Sequence, residues 1–212
     1  HDFMEQMGEE GIRFINEYAV EWAVEEKLAD PKVLVADLTA QEAAIPHPNE
    51  MGLMAAFMSA VVAGSKQAGR TLKAFAEAAA AKLKAGKEKV REYRLFAKTK
   101  EKKDKLMAEM ANIVGGVLAQ LGKAVEAARA EKVRVTQYGK VARAKVLHLH
   151  ETMKKLLPQI RYWLKTGQVA AGKVISLHIP ELYSIVRGKV GKTVEFGLTW
   201  GIRRLRGGFL LA

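Results

Sequence analysis

The sequence predicts a mixed α/β fold in which a small sheet is interrupted by a long, mostly α-helical insertion. Three observations support this class. A short β-branched and apolar run lies at residues 33–35, residues 52–165 keep helical spacing almost throughout, and strand-like patterns return after Thr166-Gly167. For a chain of 212 residues, this order fits one or two domains.

The first segment is predicted to be a helix that ends near Asp30-Pro31, because the residue before a proline is pushed out of the α region. Its apolar stripe consists of Ile12, Ile15, Tyr18, Ala19 and Trp22. The run at 33–35 then predicts a strand that is buried on both faces and has Asp37 at its C-terminal end. Residues 45–49 contain two prolines and are predicted to be a loop.

The middle segment is predicted to fold into three or four helices that pack as antiparallel hairpins. We expect breaks at Gly64, Gly86, Gly115-Gly116 and Tyr138-Gly139, and a kink or restart at Pro158. The apolar stripes indicate a bundle core and not a cofactor site. They comprise Leu53, Met54, Phe57, Met58 and Val61; Leu106, Met110, Ile113, Val114, Val117 and Leu121; and Leu149, Met153, Leu156, Ile160 and Leu164.

Beyond residue 166 the pattern is again that of strands and turns. Residues 173–178, 193–202 and 208–211 are predicted to be strands, with a hairpin turn at 203–207. The predicted organisation is therefore an N-terminal helix with the first strand and loop at 1–51, a basic helical insertion at 52–166, and the returning strands at 167–212.

Positive charge is concentrated in the middle of the chain. The net charge is +12, and residues 66–165 carry 25 basic and 9 acidic side chains, whereas residues 1–65 carry 3 and 12. Such a distribution indicates a polyanionic partner, most often nucleic acid. A long solvated helical face that is merely rich in lysine is an equal alternative on composition alone.

Two short basic runs are the candidate phosphate contacts. They are Lys98, Lys100, Lys102, Lys103 and Lys105 in the helical segment, and Arg203, Arg204 and Arg206 near the C-terminal end. Such side chains would position double-stranded DNA without reading bases. A solvated turn is the competing interpretation for the lysines, and a structural turn is the equal alternative for the arginines. The few aromatic residues are scattered along the sequence and give base stacking little support.

The remaining composition limits the class of protein. No uninterrupted apolar run is long enough to cross a bilayer, no leader peptide is visible, and no cysteine is present for disulfides or thiolate chemistry. We therefore expect a cytoplasmic protein without a membrane partner. A basic amphipathic protein at a membrane surface is a weaker alternative.

Two separate blocks resemble the transposases of bacterial insertion sequences, of the DDE type. The first block is VADLTAQEAAIPHPNE at residues 35–50, which is similar to a strand ending in Asp-Thr-Thr-Val-Gln-Glu followed by a Tyr-Pro loop. The second comprises GKVISLHIPE at 172–181, IVRGKVGK at 185–192 and VEFG at 194–197. It resembles the family's His-x-Pro-Glu, Gly-Lys and Glu-Phe-Gly signature. Leu38 departs from the pattern, since the family usually has Thr there.

The resemblance implies a partial RNase H-like sheet interrupted by a helical insertion, with Asp37 as the first catalytic aspartate and a ligand of Mg²⁺. The family's other carboxylates have no counterpart here, so we expect an internal fragment that binds DNA and is inactive alone. Its partners would be DNA at the nucleoid and either another copy or the rest of the transposase. The competing hypothesis is a standalone basic helical protein that binds nucleic acid or acts as a scaffold, with Asp37 silent.

Overall fold

The computed structural model describes residues 2–45, 49–130, 136–189 and 192–211. The fold is mixed α/β, as predicted. The elements in chain order are α1 (Asp2–Glu25), β1 (Asp30–Glu42), α2 (Glu50–Ser65), α3 (Arg70–Phe96), α4 (Lys100–Ala130), α5 (Gln137–Thr166), β2 (Tyr183–Lys189), β3 (Lys192–Arg206) and β4 (Leu210–Leu211). The chain forms two compact units, residues 1–43 with 185–212 and residues 44–184, which we call the sheet unit and the helical unit.

The helical unit is built around the apolar stripes of α2, α3, α4 and α5. Phe57, Leu72, Leu121 and Met153 are fully buried in a single core to which all four helices contribute. Capping residues define the helix ends: the Asn49 side chain accepts a 2.6 Å bond from the Gly52 N–H, and Gly167 ends α5 in the left-handed conformation. The stripes therefore form a bundle core, as predicted.

Several predicted helix breaks are wrong. Gly86 lies inside α3, Gly115 and Gly116 lie inside α4, and α5 continues through Pro158 without restarting. Gly86 is buried, and a Cβ there would be in van der Waals contact with the ends of Met58 and Met110 at 3.4 Å. A glycine can thus mark a close contact within a helix as well as an end of one.

Residues 173–178 do not form the predicted strand. The segment is irregular and belongs to the helical unit. The side chain of Gln159, on α5, makes two hydrogen bonds to the backbone of this segment. Its Nε2 donates to the Gly172 carbonyl at 3.1 Å, and its Oε1 accepts from the Val174 N–H at 2.9 Å. Bonds to a helix side chain thus replace a sheet ladder, and the apolar side chains of the segment pack inward.

In the sheet unit, the strand order is β1-β3-β2, and β4 also pairs with β3. β1 and β3 are antiparallel, with Asp37 opposite Ile202, Thr39 opposite Trp200 and Glu42 opposite Gly197. The predicted strand at 193–202 extends to Arg206. The turn occupies Gly207 and Gly208, whose φ values are 107° and 95°, so the predicted turn at 203–207 is wrong. Both residues need the left-handed region that glycine adopts freely.

β1 differs from the strand predicted at 33–35. It runs for 13 residues, and nearly all of them are exposed, so burial on both faces is wrong. Asp37 lies in the middle of β1 and not at its C-terminal end. A β-branched run is buried only where another layer covers it, and the described part of the chain provides no such layer.

A small cluster anchors α1 to the sheet unit. Ala23, Ala29 and Leu205 are buried together, with Val20, Val24 and Phe209 packed around them. The predicted stripe of α1 is mostly outside this contact, and Tyr18 and Trp22 remain exposed. Within the described residues, no helix combines the length and apolarity needed to cross a membrane.

Candidate functional site

Asp37 lies on an open face of the β1–β3 pair. Directly opposed residues of an antiparallel pair point to the same side, so Asp37 shares this side with Ile202 opposite it and with Trp200 and Arg204 diagonally across. We call this side the Asp37 face. The Asp37 carboxylate is exposed and accepts a 2.8 Å bond from the Leu38 N–H. A carboxylate in this position is accessible to a cation or to a polar ligand.

Side chains on the Asp37 face also tie the two strands together. The Trp200 indole N–H donates a 2.7 Å bond to Gln41 Oε1, across 159 residues of sequence. Gln41 and Thr39 follow Asp37 on alternate positions of β1, so they lie on the same face. The bond holds the indole ring on the side of the sheet that bears the carboxylate.

The glycine of the Glu-Phe-Gly block sets the distance between the strands. A Cβ on Gly197 would lie 2.0 Å from the Gln41 carbonyl oxygen, so no other residue fits without moving the backbone. The neighbouring Phe196 carbonyl accepts a 2.9 Å bond from the Ala43 N–H. This block of the second motif is thus in direct backbone contact with the end of the first motif's strand.

The described residues do not fit a Mg²⁺ site by themselves. They contain no group of three or more histidine, aspartate or glutamate side chains that could hold a metal ion. Two-metal phosphodiester chemistry needs several carboxylates around ions roughly 4 Å apart, and a single carboxylate leaves Mg²⁺ mostly hydrated. Asp37 could supply one ligand of such a set. Glu50, at the end of the first motif, pairs with Lys173 within the helical unit.

The three candidate arginines lie on β3 and not on a turn. Arg204 and Arg206 are two positions apart on β3, so both point to the Asp37 face. Arg203 points to the opposite side, together with the buried Leu205. All three are exposed. The structure therefore brings Arg204 near Asp37 and separates Arg203 from both, because strand alternation divides residues that are consecutive in sequence.

The five candidate lysines form one exposed cluster where α3 meets α4. Lys98 lies in the connection, and Lys100, Lys102, Lys103 and Lys105 lie in the first two turns of α4. Positive side chains are unfavourable at a helix N-terminus, by typically a few tenths of a kcal/mol each. Stability of the helix does not explain their placement, whereas a bound polyanion would.

Two acidic side chains near the cluster, Glu92 and Glu109, are engaged by Lys89, whereas Glu101 and Asp104 lie among the five lysines in the sequence. Lys89 of α3 pairs with Glu109 at 2.9 Å and with Glu92 at 3.2 Å, and the hydrogen bond that Lys89 donates to Glu109 is the main reason the pKa of Lys89 is raised. Within the described ranges, none of the five lysines takes part in an ion pair. Their charge remains available to a ligand.

Sequence reasoning missed two apolar residues beside this cluster. Leu95 and Phe96 end α3 and are 52% and 56% exposed. We call residues 91–105, which contain them and the lysines, the hairpin tip. Two consecutive large apolar residues inside a basic stretch could have indicated them. A single helical stripe buries only one of two such neighbours, so the pair predicts an exposed apolar side chain.

The three histidines that the structure describes, His148, His150 and His178, do not assemble into a metal site. His148 Nε2 lies 3.2 Å from the Leu177 carbonyl oxygen, and His150 Nδ1 lies 3.1 Å from Glu151 Oε1. The hydrogen bond from Lys154 is the main reason the pKa of Glu151 is lowered. The His150 and Glu151 side chains lie along an open groove of about 910 Å³ between α4 and α5, which Arg129, Lys154 and Arg161 also line. The remaining histidine of the resemblance, His178, is exposed and is not part of the sheet.

Comparison of the chain with protein-family models, with curated proteins and with solved structures finds no match.

Proposed function

We propose that the chain carries the first strand pair of an RNase H-like catalytic core from a DDE transposase, together with a helical insertion that binds DNA. The observation that carries the proposal is the antiparallel pairing of β1 with β3, which places Asp37 opposite Ile202 and Glu42 opposite Gly197. The two motifs that resemble the family are far apart in sequence, and this pairing is the one the resemblance implies.

Asp37 has the exposure that a metal-binding carboxylate of such a core requires, and Arg204 on the same face would attract a phosphate. Catalysis is not assigned to the chain alone, because the described residues supply a single suitable carboxylate. Its own contribution is to position duplex DNA through the hairpin tip and to present Asp37.

Binding of duplex DNA should depend steeply on salt. Each neutralised phosphate releases counterions, so the logarithm of the binding constant should fall linearly with the logarithm of salt concentration, by roughly 0.9 per contact. Replacing Lys98, Lys100, Lys102, Lys103 and Lys105 with Gln should flatten that slope by about 3–5. Fluorescence anisotropy with a labelled duplex at several salt concentrations measures both quantities.

A variant with the same change of net charge provides the control. Lys73, Lys84, Lys87, Lys140 and Lys165 are exposed in the helical unit and lie outside the hairpin tip. Replacing these five with Gln should leave most of the slope in place. Equal slopes for the two variants would show that the hairpin tip is not the binding surface. A binding constant that does not change with salt concentration would refute the proposal.

A standalone helical protein that binds nucleic acid or acts as a scaffold is the second candidate, because the helical unit encloses its own core. The absence of cysteine allows a clean test with single-cysteine variants. A DNA-cleaving reagent attached at Thr39→Cys on the Asp37 face should cut bound DNA, and the same reagent at Leu38→Cys on the opposite side should cut less. Absence of cutting from both positions would favour the second candidate.

A further inference from the structure

The end of α3 exposes two large apolar side chains that contribute nothing to the bundle core. The chain re-enters the core immediately after them, because Ala97 is buried, and Tyr93 one turn earlier packs against the core. Burial and the neighbouring Glu50 and Asp104 carboxylates raise the pKa of Tyr93, which keeps that ring neutral. Leu95 and Phe96 therefore project from an otherwise anchored helix end.

Charge surrounds these two side chains. The hairpin tip has seven basic and three acidic residues, and the five candidate lysines follow Phe96 within nine positions. An apolar protein partner would have to remove these ammonium groups from water, which is costly without matching acids. The surface therefore fits a ligand that combines a dense negative backbone with flat apolar surfaces.

Nucleic acid meets that description where a base is unstacked. A membrane surface is the less suitable polyanion, because two side chains bury too little apolar area for stable insertion and the first turns of α4 are polar. In continuous duplex the base faces are already stacked, so Phe96 gains a partner only at a bulge, an abasic position or a frayed end.

We infer that the hairpin tip recognises distorted DNA: the Phe96 ring stacks on an unpaired base, Leu95 fills the adjoining gap, and the lysines hold the flanking phosphates. Scattered aromatics gave base stacking little support in the sequence, but the structure places this ring next to the densest lysine cluster. The inference rests on the proposed DNA binding and adds the form of DNA that is bound.

The test compares three DNA ligands of equal length: a continuous duplex, a duplex with a central one-nucleotide bulge of 2-aminopurine, and a duplex with an abasic site. Aromatic stacking on one base corresponds to about 5-fold or more in affinity. We expect the full chain to prefer the bulged duplex over the continuous one by at least that factor, with quenching of the 2-aminopurine fluorescence.

Phe96→Ala should reduce the preference to near unity while leaving the salt slope for continuous duplex unchanged. Phe96→Trp should retain both the preference and the quenching. Tyr138→Ala is the matched control, because Tyr138 is an exposed ring of the same helical unit, on α5 outside the hairpin tip. Circular dichroism establishes that each variant keeps its helices.

The outcomes separate the inference from the proposed function. Salt-sensitive binding of continuous duplex with no preference for the bulge, or a preference that survives Phe96→Ala, would overturn the inference alone. Failure of the unmodified chain to show any salt-sensitive DNA binding would overturn the proposed function. Binding to vesicles of anionic lipid that requires Phe96, without a preference for bulged DNA, would identify the tip as a membrane contact and refute the inference.

Discussion

Gly197 is the residue on which the pairing of β1 with β3 depends most directly. The backbone of β1 passes so close to its Cα that a methyl group would overlap the Gln41 carbonyl. The resemblance to a Glu-Phe-Gly signature predicted a glycine at a strand, and the structure supplies the physical reason for it. Close approach of another backbone is one of the few circumstances in which a glycine inside a strand is favourable.

Gly197→Ala should weaken the strand pair, by about 2 kcal/mol or more, because one of the two backbones must move. Urea unfolding followed by Trp200 fluorescence measures the change. Gly201→Ala on the same strand is the control, since its Cβ would meet nothing closer than Leu38 Cδ2 at 3.9 Å. Equal midpoints for the two variants would contradict this view of Gly197.

Individual side chains were predictable from sequence only where a local rule decides their position. The exposure of the five lysines follows from the cost of burying charge. The separation of Arg203 from Arg204 required knowing that β3 continues to Arg206, and the position of Asp37 required the length of β1. Both depend on pairing between strands that are distant in sequence, which no local pattern encodes.

At the scale of elements, helices were predictable and their interruptions were not. Apolar residues at helical spacing identify α2, α4 and α5, because burial of one face is what stabilises such helices. Gly115 and Gly116 were expected to break α4, yet the bundle holds the helix through both. Tertiary packing outweighs the roughly 1 kcal/mol by which glycine disfavours a helix.

Gly116→Ala should therefore stabilise the helical unit, by about 0.5–1 kcal/mol, through helix propensity. Its Cβ would meet only the flexible end of Lys82, at 3.4 Å. Gly64→Ala is the comparison, because its Cβ would lie 3.0 Å from Cγ2 of the fully buried Val146 and should give no gain. Chemical unfolding monitored by circular dichroism distinguishes the two, and a destabilised Gly116→Ala would argue against the propensity explanation.

The strand predicted at residues 173–178 is wrong for a different reason. Residues 33–35 and 173–178 have similar apolar patterns, but the first lies within a strand and the second packs as irregular chain against α5. Whether such a segment forms a strand depends on the hydrogen-bonding partner within its reach. That partner is the backbone of β3 for residues 33–35 and the side chain of Gln159 for residues 173–178. Periodicity carries no information about that choice.

For the whole molecule, each unit has its own hydrophobic cluster, and the two clusters differ greatly in size. The helical unit buries large side chains from four helices, whereas the buried hydrophobic residues described in the sheet unit are Ala23, Ala29 and Leu205. Because burial of apolar area is the main source of stability, the sheet unit should be the weaker one.

Unfolding should accordingly occur in two steps, with the sheet unit first. Trp22 and Trp200 report on the sheet unit, and Trp163 reports on the helical unit. In a urea titration, the Trp163→Phe variant reports only on the sheet unit, and a variant with both Trp22 and Trp200 replaced by Phe reports only on the helical unit. Leu121→Ala should shift only the Trp163 transition, at a cost of about 2–5 kcal/mol. A single coincident transition for all probes would contradict this expectation.

The chain alone should not nick DNA in the presence of Mg²⁺, because the described residues contain no group of three or more side chains that could hold a metal ion. A supercoiled plasmid incubated with the purified chain and Mg²⁺ should remain supercoiled, and the thermal midpoint should not rise with Mg²⁺ concentration. Nicking that disappears in Asp37→Asn would show that the chain has a complete active site.

The hydrogen bond between Trp200 and Gln41 spans 159 residues, and this separation has a consequence for biosynthesis. On the ribosome, β1 emerges long before β3 exists, and at elongation rates of about 5–20 residues per second the delay is on the order of ten seconds or more. Throughout that interval β1 lacks its partner strand, and its apolar side chains remain exposed. Nascent chains stalled before β3 should therefore be preferred clients of holdase chaperones, and those stalled after β4 should be released from them.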